Sequence, residues 1–326
     1  MLGIVASPDI WRFQPHPEVW VLVAGLATMY TYAIKVIGPR AVPAGQPVVR
    51  RRQVGFFVAG LTILWLASDW PLHDLSEEYL YSAHMLQHMM LSYFMPPLLL
   101  LATPTWLARL VVGQGRVWTG FKWLAKPVVA GVTFNAFVMI SHVPGVVNHA
   151  VASGNGFLHY GLHTVLVLSA LLMWTPVCGP FPELRMGPGG TMIYLFAMSV
   201  IPTVPAGWLT FADGVVYKAY DHGPRLWGIS VTTDQQLAGA IMKVGGSFFL
   251  WVIITFLFFK RFMGRWEEQN TPRPVRRAPA AVAPETAPAG EAAEADDEHV
   301  LTYEEVTRAF EAAPPVPEPH RPTTGT

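Results

Sequence analysis

The sequence predicts an all-α polytopic integral membrane protein of seven transmembrane helices, N-terminus outside and C-terminus in the cytoplasm, ending in a disordered tail. Three observations carry this. Hydrophobic residues make up 52% of the chain and charged residues only 13%, against about 25% charged in an average soluble protein. The apolar residues are gathered into runs of about 17 to 25, long enough to cross roughly 30 Å of hydrocarbon at about 1.5 Å per residue. The basic residues then alternate from one inter-run loop to the next.

The N-terminal stretch MLGIVASPDIWRFQPHPE has no basic region followed by an apolar segment, so no cleavable signal peptide is expected and the first run is a permanent span. Residues 1–17 are assigned to an extracytoplasmic N-terminus, 18–265 to the seven-helix domain and 266–326 to a cytoplasmic, mostly disordered tail. The runs are Glu18–Ile37, Val54–Trp70, Tyr79–Leu101, Val128–His142, Phe157–Trp174, Thr191–Leu209 and Gln235–Phe262. Pro96 and Pro97 in the third and Pro202 and Pro205 in the sixth predict kinks, because proline removes an intrahelical donor.

Thirteen Lys and Arg flank one set of loop ends, among them Arg50, Arg51, Arg52, Arg109, Lys126, Arg185 and Arg261; the opposite set holds only Arg12, Lys218 and Arg225. The positive-inside bias therefore places the C-terminus in the cytoplasm and, with an odd number of spans, the N-terminus outside. The cluster Arg50 to Arg52 reads as a topology determinant or a contact with anionic membrane lipid, not as a nucleic-acid site.

The formal net charge of zero conceals a basic body and an acidic end: residues 1–270 carry 17 Lys and Arg against 12 Asp and Glu, and residues 271–326 carry 5 against 10. From residue 271 to about 300 the composition is dominated by Pro, Ala and Glu, which cannot bury enough apolar surface to offset chain entropy. The segment Leu301 to Ala313 places Leu301, Val306 and Phe310 near one helical face and reads either as a weak recognition helix or as a transient one. A single cysteine, Cys178, excludes an intramolecular disulfide and any Cys-rich metal site from this chain alone.

Histidine placement is the most informative feature. His84 and His88 stand at i and i+4 at the outer end of the third run, and His159 and His163 repeat that spacing at the outer end of the fifth. His142 closes the fourth run on the same side. Imidazoles inside hydrocarbon need partners, and two such pairs make a natural clamp for a metal ion. The alternative for any one of them is a hydrogen bond across a helix interface. Imidazole suits Zn, Cu, Fe and Ni, and the thioethers of Met85, Met89 and Met90 beside the first pair favour Cu(I), unless they only fill space.

Asp69, Gln87, Met89, Asp234 and Gln235 lie at a similar level and are candidates to orient ligand imidazoles; Asp69 and Asp234 read equally well as ordinary interfacial carboxylates. Lys243 either neutralises a carboxylate or snorkels. No phosphate-binding loop, dinucleotide fingerprint, nucleophile elbow or H-E-x-x-H motif occurs, which removes support for nucleotide-driven transport and for standard metalloprotease chemistry.

The segments SAHMLQHMMLSYFMPPLLLLATP, ISHVPG, LHYGLHTVL leading to LLMWTPVCGP, and DQQLAGAIMKVGG occur in this order and spacing between about residues 15 and 265. In them the chain resembles the multi-spanning CtaG family of cytochrome c oxidase assembly factors. The resemblance implies a seven-span plasma-membrane protein, not an enzyme, that serves maturation of haem-copper oxidase. Copper, taken from a donor the sequence leaves unidentified, would pass to the oxidase catalytic subunit. Carried over by position, the residues concerned are His84, His88, His142, His159 and His163, with Asp234 and Gln235. Two other classes are expected to compete: an intramembrane zinc hydrolase with three His ligands and a carboxylate such as Asp69 as base, and a membrane protein binding haem between histidine pairs.

Overall fold

The computed structural model describes residues 11–152, 156–221 and 225–270, with side chains left out at 151, 152, 156, 157 and 264–270. The readings of the acidic tail, its disorder and its helix at Leu301 to Ala313, lie outside the described residues. Among the described residues every regular element is helical.

The main helices are α1 (Pro17–Ala41), α2 (Arg51–Ser68), α3 (Leu72–Tyr79), α4 (Tyr81–Ala102), α5 (Thr105–Val112), α6 (Gly115–Leu124), α7 (Pro127–Ser141), α8 (Pro144–Ala152), α9 (Gly156–Cys178), α10 (Pro188–Thr210) and α11 (Val231–Asn270). Five, namely α1, α4, α9, α10 and α11, contain stretches long and apolar enough to cross a membrane. Two bent pairs, α2 with α3 at 47° and α6 with α7 at 71°, raise the number to as many as seven. Each apolar run read from the sequence falls largely on one of these elements. The fourth is the shortest: the 15 residues of α7 rise about 22 Å, less than the hydrocarbon thickness.

The helix α4 is the centre of the bundle, packed against α2, α9 and α11. Its middle is irregular. Residues Met90–Phe94 form a π turn just before Pro96 and Pro97, so a donor four or five residues beyond Ser92 would fall on a proline. The indole of Trp174 on α9 supplies one instead, donating to the Ser92 carbonyl at 3.0 Å. The kink expected at Pro202 appears as a break at Ile201 and Pro202 within α10. Here Ser199 O accepts from Ser247 Oγ at 3.3 Å and from Lys243 Nζ at 3.4 Å, and Lys243 also donates to Thr203 Oγ1 at 2.5 Å. Lys243 thus serves a broken helix, where the sequence suggested a carboxylate partner or snorkelling. Between α10 and α11 the chains approach so closely that a Cβ at Gly239 would lie 2.7 Å from the Ala206 carbonyl oxygen. Small residues at such contacts let helices meet where no hydrophobic force drives them together.

Candidate metal centre

The helices α4 and α9 begin, and α7 ends, at the same end of the bundle. Because i and i+4 residues share a helical face, α4 presents His84 and His88 to α9, which presents His159 and His163 in return. The ring centroids of His84 and His88 are 4.4 Å apart, as are those of His159 and His163, and across the interface His84 lies 5.3 Å from His163. His88 Nε2 and His163 Nε2 face each other at 3.3 Å, one donating and the other accepting. His142, capping α7, stands edge-on to His88 with centroids 5.9 Å apart. All five histidines singled out from the sequence are therefore brought together.

A sixth residue, not anticipated, completes the cluster. Glu77 on α3 brings Oε1 to 2.7 Å from His159 Nε2 and 3.8 Å from His84 Nδ1. Ligand atoms of Glu77, His84, His159 and His163 all lie within 4.8 Å of one another. The short approach to His159 lacks hydrogen-bond geometry, so Glu77 Oε1, His84 Nδ1 and His159 Nε2 are three buried polar atoms without a hydrogen-bond partner. Each such orphan costs about 1–3 kcal/mol. A cation bound among them would satisfy all three, and the donor set, one carboxylate with several imidazoles, suits a borderline metal ion.

The other candidates have structural partners. Asp234 accepts from Tyr81 N at 2.7 Å and Ser82 N at 3.0 Å, and from Ser82 Oγ, and so caps the helix that carries His84 and His88. Gln235 Oε1 accepts from Val216 N and Tyr217 N, and its Nε2 donates to Tyr217 O. This fixes the segment following α10 over the site, where Tyr217 OH donates to His142 O at 2.9 Å. Tyr220 from the same segment lines the small cavity, about 40 Å3, bounded by His84, His88, His159 and His163. Burial, with Glu77 adding to it, pushes the Tyr220 phenol well above its ordinary range, so it faces the site as a neutral hydroxyl.

Asp69, Gln87 and Met89 are turned elsewhere. The Asp69 carboxylate accepts from Trp65 Nε1 at 2.6 Å and Trp20 Nε1 at 2.8 Å, tying α1 to the end of α2. Gln87 donates to Ala67 O at 2.7 Å and meets His73 Nδ1 at 3.3 Å. Met89 packs toward Gly245 and Gly246 of α11; the methionine at the histidines is Met85, with Sδ 3.4 Å from His142 Nε2. The carboxylate among the imidazoles is thus Glu77, and a hydrolase with Asp69 as base has no support in this geometry. Rings this close around so small a cavity leave no room for a porphyrin.

An all-helical membrane protein whose central helices converge on a cluster of histidines with one carboxylate is the class that fold and site define. The model of the cytochrome c oxidase caa3 assembly factor family matches residues 28–263, and the chain belongs to that family. Membership implies an assembly role that engages cytochrome c oxidase. No curated protein and no solved structure gives a significant match.

Proposed function

We propose that the protein carries copper to the catalytic subunit of cytochrome c oxidase, holding the ion in the histidine cluster formed by His84, His88, His142, His159 and His163. The observation that carries this reading is the convergence of five imidazoles, four of them lining one small cavity and the fifth against His88, in a chain whose family assembles a copper enzyme. Copper is here the cargo, not a resident cofactor, and nearby thioether sulfur favours Cu(I). The protein sits in the plasma membrane with seven spans, N-terminus outside and C-terminus inside, as the distribution of Lys and Arg favours. The cluster then faces the outer leaflet.

Replacing His84 and His88 by Ala tests the proposal, because Ala is the strongest helix former and removes intramembrane polar groups, so the helices are expected to persist. At wild-type protein level and limiting copper, oxidase is expected to retain haem and lose copper and activity, with partial rescue by added copper. Normal copper content in that double variant would leave scaffolding of the oxidase as the better account.

A further inference from the structure

We propose that the cluster is two metal sites of opposite chemical hardness: a nitrogen and oxygen site for a divalent cation, and a nitrogen and sulfur site for Cu(I). The first comprises Glu77, His84, His159 and His163. The second comprises His142 and Met85, with His88 beside it. The soft half rests on the copper reading given above; the hard half stands without it.

The argument begins with the proton on His142. Its Nδ1 lies 2.7 Å from the Val138 carbonyl oxygen, which can only accept, so the ring proton is on Nδ1 and Nε2 bears a lone pair. That lone pair points at Met85 Sδ from 3.4 Å. A thioether carries no proton, so two electron-rich atoms face each other with nothing to donate between them. His142 is 5% exposed and Met85 1%, so bulk water does not mediate the contact. Metal bonds of about 2.0–2.1 Å to nitrogen and about 2.3 Å to sulfur, at a tetrahedral angle, separate the two ligand atoms by roughly 3.5 Å. The observed spacing is that of a ligand pair. Imidazole with thioether selects Cu(I) among biological cations.

The opposite half has different chemistry. Glu77 supplies an anionic oxygen, and with three imidazoles it makes a set that suits divalent Zn, Co or Cu and offers nothing soft. Two features join the halves. His88 and His163 face each other at 3.3 Å, close to the roughly 3.3 Å separation of two nitrogens on one tetrahedral metal. His88 also lies against His142. The two sites are therefore adjacent, His88 standing between His163 and His142. No electron transfer is invoked, since the two sites accept different ions.

Purified full-length protein in detergent, kept anaerobic, separates the cases with two probes. Co(II) reports a four-coordinate nitrogen and oxygen site through intense visible ligand-field bands, and Cu(I) affinity is read by competition with a chromophoric chelator. Glu77→Gln is expected to weaken Co(II) by about tenfold or more and to leave Cu(I) within about threefold of wild type. Met85→Leu, a nearly volume-conserving change, is expected to do the reverse. Should either fail to give a monodisperse protein, Glu77→Asp and Met85→Ile replace them. Equal effects of both variants on both ions would mean a single site, and no effect of either would mean that neither residue is a ligand; each outcome overturns the inference while leaving copper binding intact. Wild-type protein that binds Co(II) but not Cu(I) would instead overturn the soft site together with the copper reading.

Discussion

Asp234 shows how a residue remote from the cavity positions the histidines. It accepts from two backbone amides and a hydroxyl in the first turn of α4, just before His84, and among the described residues no other side chain satisfies those amides at a buried end. Asp234→Ala is therefore expected to destabilise the protein by about 1–3 kcal/mol for each donor left unpaired. Asp234→Asn, which keeps an acceptor, should recover much of it. Thermal unfolding in detergent checks this, and an Ala variant as stable as wild type would show that the cap is dispensable. The same scale explains what could be read from sequence. Two i, i+4 histidine pairs announce a shared face in any helix. Glu77, Asp69 and Asp74 are three carboxylates within nine residues, and which of them meets the histidines depends on how α3 folds back from α2. That turn is tertiary, so Glu77 could not be separated from its neighbours. The tight spacing of Asp69 and two indoles was equally hidden, since Trp20 and Asp69 are 49 residues apart.

At the scale of elements, Pro96 and Trp174 form one unit although they lie on different helices. Proline after the π turn leaves the Ser92 carbonyl unserved, and the Trp174 indole serves it. Trp174→Phe keeps an aromatic ring, though a smaller one at a buried position, and removes the donor; losing the donor alone is expected to cost about 1–3 kcal/mol. Pro96→Ala returns an amide to α4. In the Trp174→Phe background it should therefore be less damaging, or more stabilising, than in wild type. Strict additivity in this double-mutant cycle, read by thermal unfolding, would show that the two residues are not coupled. The kinks themselves were legible as prolines inside apolar runs. What sequence could not supply was the donor that makes each kink tolerable, Trp174 in one case and Lys243 with Ser247 in the other. Intramembrane polar side chains look alike in sequence whether they bind a ligand or mend a helix, and only their partners distinguish them.

For the whole molecule the decisive question is which side of the membrane the cluster faces, because the proposed delivery of copper to an oxidase requires that donor and acceptor lie at matching depth. The histidines occupy the starts of α4 and α9 and the end of α7, so orienting any one of these helices orients the site. Thirteen Lys and Arg lie near the loop ends away from this end of the bundle and three near it, and short loops rich in Lys and Arg are retained in the cytoplasm. Seven spans with the N-terminus outside satisfy that bias; five spans, counting neither bent pair, would make α4 and α9 successive, antiparallel spans, although both begin at the histidine end of the bundle. Two exposed positions separate the arrangements. Asp213 follows α10 near the cluster, and Gln114 lies between α5 and α6 at the basic end. In a Cys178→Ser background, Asp213→Cys is expected to react with a membrane-impermeant maleimide on intact cells, and Gln114→Cys only after lysis. Reaction of Gln114→Cys from outside, with Asp213→Cys protected, would invert the orientation. The histidines would then open toward the cytoplasm, and delivery of copper to the outer leaflet would be lost with it.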